Sequence, residues 1–128
     1  MTTSSENDHR ETLRAMYDRF RVSRFPAPPR PDDEHAESDE SVLASVFPEL
    51  LEYDGAVAGV VERVVHGRRV PDQLAHLLTY DSSLECRLEP VASSASPSFA
   101  ATAKTYLSHL AAIREMLQVA RIVNAAER

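Results

Sequence analysis

Residues 97–126, PSFAATAKTYLSHLAAIREMLQVARIVNAA, decide the fold class of this chain. Apolar residues recur here in steps of four and three positions, the spacing that places side chains on one face of an α-helix. This seam consists of Phe99, Ala103, Tyr106, Leu110, Ile113, Leu117 and Ala120. A helix of about 30 residues is about 45 Å long, which is more than a chain of this size normally needs to cover. We therefore expect it to be buried on several sides, either by the other helices or by a second copy of the chain.

The N-terminal region predicts another helix, over residues 8–22. Either Ser5 or Asp8 is the expected cap, with Glu11 as the partner of Asp8 in a capping box. One face is apolar and another is basic. The apolar face carries Leu13, Met16, Tyr17 and Phe20, and the basic face carries Arg10, Arg14 and Arg21.

Residues 25–40, FPAPPRPDDEHAESDE, predict a Pro-rich acidic linker. Closely spaced prolines favour extended polyproline II, and a dense run of acids opposes collapse. Residues 25–54 hold nine acids and one arginine and so carry −8, while the regions before and after them carry +1 each, which gives the net charge of −6. Such a linker would let the first helix dock far from its sequence neighbours, even on another subunit. We divide the chain into an N-terminal helical arm (1–24), this linker (25–40) and a helical bundle domain (41–128).

The middle of the chain predicts several shorter helices. One covers residues 41–47, and a Val-rich one begins at Pro48, since proline is favoured in a first helical turn. Gly67 is the expected C-terminal glycine of that second helix. Gly55 and Gly59 lie one turn apart and would leave a shallow groove that another helix could approach closely.

Two further segments follow. Residues 71–80 predict a short helix with its leucines facing inward. Residues 83–90 fit either a helix or a strand, and helix is favoured because no partner strand is visible; Ser82 and Glu85 would form its capping box. Together, these patterns predict an all-α fold, an irregular helical bundle built around the long C-terminal helix.

The sequence offers little for metal, cofactor or nucleophile chemistry. A single cysteine, Cys86, excludes an internal disulfide and a Cys-based zinc site and favours a reducing cytoplasm. Three scattered glycines cannot build a phosphate-binding loop. No two histidines are one turn apart, as helical metal ligands would be. We therefore expect no metal, no cofactor and no catalytic residue, and the absence of a long apolar run or signal peptide predicts no membrane association.

These features favour a non-enzymatic adaptor, regulatory or accessory subunit that acts through helix–helix contacts. The predicted partner is another protein or a second copy of the chain, in a homodimer formed through residues 97–126. The candidate partner-binding residues are Arg10, Arg14, Tyr17, Phe20, Arg21, Tyr106, Leu110, Ile113 and Leu117.

Two alternatives belong to other classes of protein. A DNA-binding regulator would use the Pro71–Tyr80 helix or the basic N-terminal helix, but the acidic net charge and the absence of interleaved aromatic and basic residues disfavour nucleic acid. A small enzyme or ligand-binding bundle would place Tyr53, His66, His109 or Cys86 around a pocket.

Overall fold

The computed structural model is a bundle of four α-helices and describes residues 4–22, 25–29, 37–94 and 96–126. The helices are α1 (Ser4–Val22), α2 (Glu37–Val65), α3 (Pro71–Ala92) and α4 (Pro97–Ala125). The described part of the chain contains no strand. The predicted all-α fold is confirmed, and none of these helices combines the length and apolar character needed to cross a bilayer over the described residues.

Helix α4 contributes the predicted apolar seam to the core of the bundle. Like α2, it packs against each of the other three helices, whereas α1 and α3 make no helix–helix contact with each other in the described ranges. Every residue of the predicted seam from Phe99 to Ala120 is buried. The other helices of the chain therefore cover the seam of α4, which was one of the two predicted arrangements, whereas the opposite side of α4, with Lys104, Ser108 and Glu115, is exposed.

Helix α2 differs from the prediction of two helices that meet at Pro48. Pro48 lies in the interior of one continuous helix, although a proline there removes a backbone hydrogen bond and costs about 3 kcal/mol. Leu43 and Val46 before it and Leu50 after it are all fully buried. Packing of one continuous apolar face on both sides of the proline offsets the local cost.

The segment between α1 and α2 is shorter than the predicted linker. Residues 37–40 belong to α2, and residues 25–29 are irregular, with Phe25 only 3% exposed. The hydroxyl of Tyr106 donates to the carbonyl of Pro26 at 2.5 Å, which attaches this segment to α4. Helix α1 packs on α4 and α2 of its own chain. The acidic stretch 30–36 lies outside the described residues, and the division into domains stays a prediction.

The predicted capping boxes are wrong, because the helices extend further than their patterns indicated. Helix α1 begins at Ser4, so Asp8 lies inside it. Helix α3 runs through residues 83–90, which confirms helix there, and Ser82 donates to the carbonyl of Leu78 within it at 3.3 Å. The prediction for Gly67 is confirmed, since its φ of 80° is one that glycine adopts without strain.

Candidate functional site

The partner-binding residues predicted on α1 lie at or near the surface. Arg14 and Arg21 are exposed and Arg10 is half-buried. Tyr17 and Phe20 are half-buried and pack against the core. The guanidinium of Arg21 lies 5.8 Å from the ring centroid of Tyr17, within the range of a cation–π interaction.

The partner-binding residues predicted on α4 lie inside the bundle. Tyr106, Leu110, Ile113 and Leu117 are each at most 1% exposed. Their helical spacing marked a buried surface, but this chain's own helices cover it. A partner can contact α4 in this conformation only through its outer positions.

His109 joins three parts of the fold. Its Nε2 pairs with Oδ1 of Asp54 on α2 at 3.3 Å. The ring stacks on Phe20 of α1 at 5.9 Å between centroids, and Phe25 meets it edge-on at 4.4 Å. Two of these three contacts come from Phe20 and Phe25, so His109 fixes the end of α1 against α2 and α4.

A small cleft lies beside His109 between α1 and α4. Its volume is about 200 Å³, and its walls include Met16, Phe20, Ile113 and Met116. That volume is below the ~300–1,000 Å³ of typical small-molecule sites. Its mostly apolar lining and its size suit packing between helices better than ligand binding.

A buried polar cluster connects α2 and α3. The hydroxyl of Tyr53 donates to Oδ2 of Asp81 at 2.8 Å and is 3.4 Å from the carbonyl oxygen of Leu77. Asp81 is 0% exposed and Tyr53 is 1% exposed. A carboxylate in such a position needs hydrogen bonds, because water cannot solvate it.

The cluster reaches the surface through α4. Nε of Arg114 donates to Oδ1 of Asp81 at 3.2 Å, and Nη2 of Arg114 pairs with Glu85. Burial raises the pKa of the Asp81 carboxyl, while the hydrogen bond from Tyr53 and the charge of Arg114 oppose that rise. Burial and the adjacent Asp81 also raise the pKa of Tyr53 far above its ordinary value. Both groups therefore hold their protons more strongly than in water. Each is at most 1% exposed, and their hydrogen bonds connect α2, α3 and α4.

A second polar group lies nearer the surface between the same helices. Oε1 of Glu49 accepts from the hydroxyl of Tyr80 at 3.0 Å, and its Oε2 accepts from Arg87 at 2.6 Å. The hydrogen bond from Arg87 is the main cause that lowers the pKa of Glu49. About a third of each charged side chain is exposed, so solvent screens this pair and its contribution to stability is small.

The outer side of α2 carries small and apolar residues that no described residue of another element covers. We define the α2 outer face by its exposed and half-buried members Leu51, Gly55, Ala56, Ala58 and Gly59. Leu51 is 45% exposed, and a Cβ placed on either glycine would meet no atom within 4 Å. Asp54 is the one charged residue between Glu52 and Glu62, and it turns away to His109.

Two grooves border this face. The groove between α2 and α3 has a volume of about 460 Å³ and is lined by both glycines together with Val60 and Leu77. The groove between α1 and α2 has about 390 Å³ and contains Leu51 and Ala58. The α2 outer face therefore forms a ridge of small side chains between two shallow depressions.

The residues of the alternative pocket do not converge. Tyr53 is inside the bundle, His109 lies between α1 and α2, and Cys86 is exposed. The ring of His66 donates through Nδ1 to the carbonyl of Glu62 at 2.8 Å. Within the described ranges, no three His, Cys, Asp or Glu residues are placed to hold a metal ion.

Two buried polar residues, Asp81 and Asn124, were missed by the sequence predictions. Both stand where an apolar seam continues: Asp81 follows Leu77 by four positions, and Asn124 follows Ala120 by four. A polar residue in such a series signals a buried hydrogen-bonding role.

No family model matches the chain, and no curated protein or solved structure is significantly similar to it.

Proposed function

We propose that this chain is a non-enzymatic accessory or regulatory subunit that associates through helix–helix contacts, and that its first partner is a second copy of itself. The observation that supports this is the α2 outer face: between Glu52 and Glu62, about two turns of helix carry no charged side chain on the solvent side, because the one acid there, Asp54, pairs with His109. The exposed side of a surface helix is ordinarily charged or polar.

The glycines of this face pack against no other helix in the part of the chain that the structure describes. A glycine inside a helix costs about 1 kcal/mol relative to alanine, and open space surrounds both Gly55 and Gly59. Small residues spaced four apart allow another helix backbone to approach closely. Glycine at these two positions therefore lowers the stability of α2, but it would allow another helix to approach closely.

Charge complementarity favours a second copy as the occupant. Glu52, Ala56, Gly59 and Arg63 lie at i, i+4, i+7 and i+11, which places them on one stripe of α2. If two copies of α2 cross antiparallel about a two-fold axis between residues 57 and 58, Glu52 of each copy faces Arg63 of the other. Ala56 then faces Gly59, and both contacts occur twice because the interface is symmetric.

This proposal moves the homodimer contact from residues 97–126 to α2. The apolar seam of α4 is buried, so it offers no surface to a second copy while the bundle is intact. We also propose the cytoplasm as the compartment. The single cysteine, Cys86, is solvent-exposed, and its thiol would be oxidised more readily in an oxidising compartment.

Sedimentation equilibrium of the purified chain tests the proposal. The wild type should dimerise, Glu52→Arg and Arg63→Glu should each weaken the dimer, and the double variant should restore it because the pairs are again opposite in charge. Lys104→Glu, on an exposed site of α4, is the matched control and should leave the equilibrium unchanged.

A second pair of variants separates assembly from folding. Gly55→Ala and Gly59→Ala should each raise the free energy of unfolding of the monomer by about 0.5–1 kcal/mol, while the added methyl groups weaken the dimer. A chain that stays monomeric at all concentrations, or a dimer that none of these variants changes, would contradict the proposal.

A further inference from the structure

The loop between α2 and α3 is held by a buried side chain of α4. Asn124 is 2% exposed; its Oδ1 accepts from the backbone N–H of Val70 at 2.9 Å, and its Nδ2 donates to the carbonyl of Arg68 at 2.6 Å. These two bonds flank Arg69 in the chain. The backbone that carries Arg69 is therefore fixed relative to the last turns of α4.

A cleft of about 630 Å³ opens beside this loop, between the start of α3 and the end of α4. Arg69 and Arg121 line it from the loop and from α4. Pro71 and Ile122 contribute apolar surface, since Pro71 is exposed and Ile122 is 50% exposed. The volume lies in the range of small-molecule sites, which combine apolar walls with a few polar groups.

The two guanidinium groups at this cleft have no carboxylate within ion-pair distance among the described residues. In contrast, Arg87 and Arg114 each pair with a glutamate. Asp72, the acid nearest in sequence, lines the groove on the other side of α3. The cleft thus concentrates positive charge that nothing described in the chain neutralises.

We propose that this cleft binds a small amphipathic anion, with a carboxylate or phosphate group at Arg69 and Arg121 and an apolar body against Pro71 and Ile122. A guanidinium suits either acid group, because its planar N–H donors match the spacing of two oxyanion oxygens. The fixed loop backbone reduces the conformational entropy lost when Arg69 engages a ligand. This site is separate from the α2 outer face and does not depend on dimerisation.

Titrations of the full chain with octanoate, octyl phosphate and octanol, followed by ¹H–¹⁵N NMR, test the site. Both anions should shift the amide signals of residues 69–70, 72–74 and 118–125, and octanol should bind at least about tenfold more weakly, as expected for the loss of a charge-assisted hydrogen bond. Whichever anion binds more tightly identifies the acid group that the cleft prefers.

Variants assign the binding to the two arginines. Arg69→Gln and Arg121→Gln should each weaken anion binding about tenfold, and Lys104→Gln, with the same loss of charge elsewhere on α4, should not. All three residues are exposed, so the variants should fold, which circular dichroism checks. The proposal would be overturned by equal affinity for octanol, by shifts confined to other regions, or by unchanged binding in the arginine variants. It would also be overturned by the absence of any shift at about 10 mM anion, a concentration at which even a site with a Kd of ~1 mM would be nearly saturated.

Discussion

Replacing Tyr53 with phenylalanine removes one hydroxyl from the buried cluster and leaves the ring in place. The hydroxyl donates to Asp81 at 2.8 Å, and both residues are at most 1% exposed. Because the site is closed to water, no water molecule can replace the lost donor. Of the two side chains that donate to Asp81, only Arg114 would remain.

The expected loss follows from the charge of the acceptor. A hydrogen bond to a charged group contributes about 1.5–3 kcal/mol, compared with about 0.5–1.5 kcal/mol between neutral groups. We therefore expect Tyr53→Phe to lower the free energy of unfolding at pH 7 by about 2 kcal/mol. For a chain of this size, the melting temperature should fall by roughly 6–10 °C.

The loss of stability in Tyr53→Phe should depend on pH, and the raised pKa of Asp81 determines whether it grows or shrinks on acidification. Burial makes the folded state hold the Asp81 proton more tightly than the unfolded state, whose pKa is near 3.8. Acidification through the folded pKa therefore adds to stability from this group, whereas most salt-bridged acids lose stability. Without the Tyr53 hydroxyl, the pKa of Asp81 in the folded state is higher still, so Asp81 becomes protonated at a higher pH in the variant. The difference in free energy of unfolding between wild type and variant therefore shrinks as the pH falls.

Urea unfolding of the wild type and the variant between pH 7 and pH 4 measures this difference. Tyr80→Phe is the matched control, since Tyr80 also donates to a carboxylate but lies nearer the surface, and its loss should be below about 1 kcal/mol. A loss below about 0.5 kcal/mol for Tyr53→Phe at pH 7, or a loss that grows on acidification, would refute the reasoning.

Two further substitutions test how loops are attached to α4. Phe25→Ala should lower the free energy of unfolding by about 3 kcal/mol and speed hydrogen exchange in α1, because the ring contacts Tyr106 and His109; unchanged exchange in α1 would show that the segment does not hold the helix. Asn124→Ala should lower it by about 2–4 kcal/mol in urea unfolding, since two backbone groups lose their partner, and a loss below 1 kcal/mol would mean that water replaces the side chain.

Long, regular patterns carried most of the information about the fold. The helix predicted over residues 97–126 is observed as Pro97–Ala125, because its apolar spacing is sustained over seven turns and begins at a proline. Gly67 was also predicted correctly as the glycine that ends α2, since the left-handed conformation at a helix end strongly prefers glycine. Pro48 was misleading, because the local rule for proline does not include the packing of residues on both sides of it.

Features that depend on distant partners could not be predicted. Phe25 stands in a Pro-rich segment without periodicity, and its burial depends on Tyr106, about 80 positions later. For Leu110 and Leu117, the pattern predicted burial correctly, but spacing cannot distinguish burial within one chain from burial against a second copy. The candidate site therefore moved from the seam of α4 to the α2 outer face.

The side-by-side bonds of Tyr53 and Asp54 limit how α2 can turn. Neighbouring residues on a helix point about 100° apart, and here one is bonded to Asp81 of α3 while the other pairs with His109 of α4. Any rotation of α2 about its own axis would break at least one of these bonds. These two polar contacts, within about two turns of both glycines, thus keep Gly55 and Gly59 directed toward the outside of the bundle.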